Sequence, residues 1–195
     1  IFSRYESLRA EADALFARVR ETQPGCVTCK EGCSDCCHAV FDLSLVEAMS
    51  LNRAFEAAFA HGPSVRPFSP ARRKPTAPHP PEAGTLPRRK GWRKPGGLMA
   101  RAAQIRLRCP LLDGEDRCLL YEARPITCRL YGVPTAIGGQ GHVCGFSAFE
   151  KGKAYPTVHL DKIQARLDEL SREVARTVES RFSELHEVYV PLSMA

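Results

Sequence analysis

The chain has 195 residues, nine of them cysteine, with 28 basic and 22 acidic side chains and a formal net charge of +6. That length suits one domain that buries its core without disulfide support. About 5% cysteine lies below the level of a disulfide scaffold, and no run approaches the roughly 18–20 apolar residues of a membrane span.

The charge is local. Residues 62–98 carry nine basic side chains (Arg66, Arg72, Arg73, Lys74, Arg88, Arg89, Lys90, Arg93, Lys94) against Glu82 alone, together with nine of the fifteen prolines. The rest of the chain is slightly acidic. A segment of this composition buries too little apolar surface to offset its ordering entropy, so it is expected as a disordered interruption of one domain spanning 1–195. A nucleic-acid-binding arm and a frame-shifted GC-rich reading are the alternatives, and nucleic acid is the less favoured partner. The chain opens at Ile1 rather than Met, consistent with a fragment.

In chain order, Ile1, Tyr5, Leu8, Ala12, Leu15, Phe16 and Val19 fall at helical spacing and predict an amphipathic helix over 1–21, stopped by Pro24-Gly25. The run Cys26, Cys29, Cys33, Cys36, Cys37 follows, its front half weakened for helix by Gly32. Ser44-Leu45-Val46-Glu47 is a capping box that opens a helix to about Ala60. A short helix is expected over 98–106. Two apolar runs, Cys109–Asp113 and Arg117–Tyr121, flank Gly114-Glu115-Asp116 and predict a small hairpin. Arg124-Pro125 opens a one- or two-turn helix with Cys128 and Arg129, Pro suiting the first helical position. Gly138-Gly139-Gln140-Gly141 is read as a loop leading to His142 and Cys144. Leu160, Ile163, Leu167, Leu170, Val174, Val178, Phe182 and Leu185 predict a long helix over 160–185.

The expected fold is therefore mainly α, with helices packed around an irregular cysteine-rich core and at most one small β-hairpin. Clumped thiols in a chain that folds without bridges read as ligands of a soft metal, and their compartment as the reducing cytoplasm. The first run supplies Cys29, Cys33, Cys36 and Cys37; the second set is Cys109, Cys118, Cys128 and Cys144, with Cys26 left over. Eight thiolates suffice for two tetrahedral ions, or for a cluster and an ion. On a helix the adjacent side chains of Cys36 and Cys37 diverge, which favours two ions or a cluster over one shared ion. Arg124 and Arg129 are candidates to balance the thiolate charge, and His38 and His142 flank cysteines as further candidates. The spacing of the first run is close to that of radical-SAM enzymes, but no strand–helix alternation accompanies it. Ferredoxin and thioredoxin spacings fail on gap order and context.

Together, Cys29-x3-Cys33-x2-Cys36-Cys37-His38, Cys109-Pro110 and Cys118-x2-Tyr121-x2-Arg124-Pro125-x2-Cys128-Arg129 resemble the YkgJ-type cysteine-cluster family. That family is described as a zinc- or iron-chelating domain and is related to the cysteine cluster of flagellin lysine N-methylases. The resemblance covers residues 1–60 and 99–195 and departs at 62–98. It implies that Cys29, Cys33, Cys36, Cys37, Cys109, Cys118, Cys128 and Cys144 are the ligands of zinc, iron or an iron–sulfur cluster, with Cys26 accessory. The expected role is structural, storage or electron transfer, without catalysis of its own. A lysine N-methylase-like enzyme is the alternative, although no Gly-rich loop follows a strand. The expected partners are the metal ion and an unidentified protein.

Overall fold

The computed structural model describes residues 1–30, 32–60, 107–150 and 152–192. The basic segment 62–98 and the helix expected over 98–106 lie outside the described residues. Among the described residues four α-helices dominate: α1 (Phe2–Thr22), α2 (Leu45–Phe59), α3 (Ile126–Leu130) and α4 (Leu160–Thr177). Five short strands accompany them: β1 (Asp42–Leu43), β2 (Thr135–Ile137), β3 (Gln140–His142), β4 (Val158–His159) and β5 (Val190–Pro191). The mainly α expectation holds, with two small sheets added, β1–β5 and β3–β2–β4.

The periodic residues of α1 form its inner face: Tyr5, Leu8, Ala12 and Val19 are buried. They meet Ile126 and Leu130 of α3, Val46 of α2 and Ile163, Leu167, Leu170 and Val174 of α4 in the larger apolar cluster. Burying such side chains stabilises by roughly 1.5–3 kcal/mol each. Arg4–Glu173 and Arg166–Glu11, both at 2.5 Å, run along the α1–α4 seam and fix the two helices antiparallel.

The capping box forms as expected. Ser44 N–H and its hydroxyl both donate to Glu47 Oε2, at 3.1 and 2.8 Å. The same carboxylate extends further, because its Oε1 accepts the backbone N–H of Ile126 at 3.1 Å and so joins the starts of α2 and α3. Another free N–H in the first turn of α2, on Val46, donates to Ser171 Oγ of α4 at 3.3 Å.

Four expectations are corrected. Helix α4 stops at Thr177, not near 185: Glu179 adopts φ +46, a left-handed residue just past the last turn. Phe182, which continued the periodicity, is 60% exposed. The hairpin expected over 109–121 is reduced to a single bridge, Leu112↔Cys118, because Asp113 Oδ1 accepts Glu115 N–H and Arg117 N–H, both at 2.8 Å, and curls the loop. The hairpin that does form is β2–β3, where Gly138 and Gly139, both at positive φ, make the two-residue turn that had been read as loop. Pro125 caps α3 rather than occupying its first position.

Ser171→Ala strands the buried Val46 N–H and is expected to cost about 1–3 kcal/mol in denaturant unfolding. Glu47, 4% exposed, has its carboxyl pushed upward by burial, against the pull of its hydrogen bonds from Ser44 and Ile126. The folded form therefore binds this proton more tightly than the unfolded chain does. The stability Glu47 contributes is full below the ordinary glutamate range and declines as pH rises through the raised folded value. Stability measured across pH should show Glu47→Gln lacking that decline relative to wild type.

Candidate metal centre

The cysteine-rich elements meet through the backbone. Gly25 and the turn after α1, closed by Cys26 N–H to Gln23 O at 3.0 Å, turn the chain into an irregular stretch through Ser34. A one-turn 3-10 helix, Asp35–His38, carries the last two thiols of the first run, so its front half is loop and only its back half helical. The returning chain pairs with this turn. Cys109 N–H donates to Cys37 O at 2.7 Å and Leu107 N–H to His38 O at 3.1 Å. The Leu112–Cys118 bridge then brings Cys118 round, α3 presents Cys128, and Cys144 follows β3.

The thiols lie in two surroundings. Cys37, Cys109 and Cys128 pack into the smaller apolar cluster with Leu43, Leu51, Leu120 and Leu192, Cys109 and Cys128 being only 6% and 8% exposed. Cys29, Cys33 and Cys144 belong to neither apolar cluster, and Cys33 is exposed. Electrostatics divides them in the same way. The Cys29 thiol is pushed up to about 11 by burial and then by Cys33, Cys144 and Cys36. Cys128 is raised well above the ordinary range by burial and then by Cys36, Cys109 and Cys118. Cys37 is raised by its hydrogen bond with Cys36, then by burial, Cys109 and Cys118. Cys36 lies within reach of both sets; its hydrogen bond with Cys37 lowers its thiol to about 7. Burial is also the leading cause that raises Cys109, Cys118 and Cys144. Thiols raised by burial and by one another stay protonated unless a cation supplies compensating charge, and a coordinated soft metal deprotonates them outright.

Among the described residues no group of three or more Cys, His, Asp or Glu is placed to hold a metal ion, so the fit is tested on pairs. Cys36 Sγ and Cys37 Sγ are 3.9 Å apart, close to the roughly 3.8 Å edge of a thiolate tetrahedron with metal–sulfur bonds of about 2.3 Å. The divergence expected of neighbours on an α-helix is absent on this tighter 3-10 turn, where the two sulfurs lie side by side. Gly132, at φ +103, provides the other fit. A Cβ there would lie 2.3 Å from Cys29 Sγ, so the missing side chain is the space this sulfur occupies. The donors suit zinc or iron.

Of the surrounding candidates, Arg124 acts on both sets, drawing down the thiols of Cys29, Cys36, Cys118 and Cys128. Its guanidinium stacks on the Tyr121 ring, 3.6 Å from the centroid, and donates to Tyr121 O. Arg129 is buried and its three nitrogens go elsewhere, to Asp13 Oδ2 at 2.5 Å, Arg124 O at 2.8 Å and Glu122 O. His38 Nδ1 lies 3.0 Å from Ser34 O, and His142 is an exposed residue of β3. Cys26 packs against the larger apolar cluster. Sequence reasoning missed Asp35, Tyr131 and Gly132. Asp35 Oδ2 accepts from Tyr131 O–H at 3.0 Å and from Cys144 S–H at 3.6 Å. The only signal for Asp35 was an acid set between cysteines, and for Gly132 a glycine soon after Cys128.

No curated protein and no solved structure gives a match to the chain. A family profile does, over residues 28–145, a span that contains all eight shared cysteines and covers more than half of the chain. The protein belongs to the CxxCxxCC family, described as a putative zinc- or iron-chelating domain.

Proposed function

We propose that the chain chelates zinc or iron through Cys29, Cys33, Cys36, Cys37, Cys109, Cys118, Cys128 and Cys144, and that the metal centre serves a structural, storage or electron-transfer role without catalysis of its own. The observation that carries this reading is the pairing of the Asp35–His38 turn with Leu107 and Cys109. It brings thiols from both ends of a separation of some seventy residues to one place, where burial and mutual repulsion oppose their ionisation. A divalent cation reverses that opposition, and its binding free energy then adds to folding. Arg124 offsets the excess negative charge that several thiolates leave on a divalent ion, while Cys26 is accessory.

Anaerobic purification followed by metal analysis, acid-labile sulfide assay and a visible spectrum tests the reading. Zinc or iron in stoichiometric amount is expected, sulfide and brown colour marking an iron–sulfur cluster. A metal-free, well-folded protein would defeat the proposal. Cys128→Ser should lose metal and stability together, whereas Cys26→Ser should retain its metal; equal loss in both would show that Cys26 is not accessory.

Gly132→Ala tests the notch. A side chain at φ +103 is expected to cost at least about 1 kcal/mol, and its Cβ displaces the Cys29 sulfur. The expected result is a lowered Tm with loss of bound metal. Gly114→Ala, where an added Cβ meets nothing within 4 Å, is the control and should change neither.

A further inference from the structure

We propose that the C-terminal end of α4 carries a binding site for a nucleoside monophosphate, built without any of the thiols. The site is a cleft of about 430 Å³, within the size range of small-ligand pockets, and no cysteine lines it.

The chain reversal after α4 makes the cleft. Glu179, at φ +46, turns the backbone, and a one-turn 3-10 helix, Leu185–Glu187, returns against α4. Arg172, Ala175 and Arg176 stand at i, i+3 and i+4 and so line the cleft from one helix face. The short side chain of Ala175 leaves the space between the two segments open.

Charge selects an anion. Two guanidiniums one turn apart repel each other, and among the described residues neither Arg172 nor Arg176 is in an ion pair. The acids one turn earlier, Glu169 and Glu173, are instead held by Arg4 of α1, at 3.3 and 2.5 Å. The partial negative charge at the end of α4 accounts for Arg176 in the last turn, but Arg172 lies more than a turn before it. An anion shared by both guanidiniums removes the repulsion, and the oxygens of a phosphate accept from both forks.

The opposite wall narrows the class. It presents the Glu179 carboxylate, the Ser183 hydroxyl and the His186 ring. A site for a bare anion would exclude a carboxylate, whereas a sugar hydroxyl donates to one. Phe182 supplies a planar surface: it lines the cleft, yet is 60% exposed. It is held in place, because Ser180 Oγ accepts its N–H at 3.0 Å and the Arg181 guanidinium lies 5.0 Å from its ring centroid. An exposed aromatic ring in a basic cleft is a stacking platform for a nucleobase. Phosphate, sugar and base thus each have a matching group.

Calorimetric titration of the full chain with AMP, adenosine and inorganic phosphate tests the site. AMP is expected to bind saturably, and the other two at least about tenfold more weakly. Arg172→Ala combined with Arg176→Ala should weaken AMP binding by about tenfold or more. Phe182→Ala should weaken AMP binding and leave that of inorganic phosphate unchanged. All three side chains are exposed, so circular dichroism and metal content should match wild type. Absence of saturable AMP binding up to about 10 mM overturns the proposal whatever the variants do. Unchanged AMP affinity in the folded double-arginine variant also overturns it, and assigns the binding to other basic residues such as those of 62–98. Inorganic phosphate binding as tightly as AMP overturns the nucleoside assignment.

Discussion

Two backbone hydrogen bonds, Cys109 N–H to Cys37 O and Leu107 N–H to His38 O, bring the halves of the cysteine set together. Each is worth only about 1 kcal/mol net, yet they fix the register between two stretches whose thiols repel one another when ionised. The smaller apolar cluster grows around that contact, drawing in Leu43 of β1, Leu51 of α2 and Leu192 beyond β5. The thiols buried there meet a poor solvent for thiolates, so on the metal-chelating reading cation binding and apolar packing act on the same few side chains. Protein and metal are in this sense one folding problem.

The helices of the larger cluster were legible in the sequence because their signals are local. Ser44 and Glu47 form a box within a single turn, and Tyr5, Leu8, Ala12 and Val19 recur at helical spacing along one helix. The end of α4 was not legible. Val178, Phe182 and Leu185 keep the period, and nothing in a period marks where the backbone turns left-handed, as it does at Glu179. The hairpin was misplaced for a related reason. Two short apolar runs around a Gly-containing loop pointed to 109–121, while the decisive signal was the Gly138-Gly139 pair, whose positive φ angles close a two-residue turn.

The site shows the same divide. Clumped cysteines pointed to a centre and the resemblance named eight of them for it, but the contacts around them depend on long-range placement. The approach of Cys144 to Asp35 spans 109 residues, and the Tyr131 hydroxyl reaches the same oxygen across 96. Arg129 stood beside Cys128 in the sequence and so invited a role at the thiolates. In the fold its guanidinium turns to Asp13 and two backbone carbonyls. Neighbourhood along the chain proved a poor guide to neighbourhood in space.

That reach of Arg129 bears on where an autonomous unit of this fold can be cut. The family match ends at residue 145 and begins at 28. Ten of the fourteen buried residues of the larger cluster (Tyr5, Leu8, Ala12, Val19, Phe149, Val158, Ile163, Leu167, Leu170 and Val174) lie outside it. Helix α3, which carries Cys128, rests its other face on these residues and is anchored to α1 through Arg129 and Asp13. The matched segment is thus a mosaic stone without its mortar. Excised, it would keep eight of the nine thiols and lose the scaffold that aims them, so the smallest piece able to hold the centre in shape includes both flanking helices.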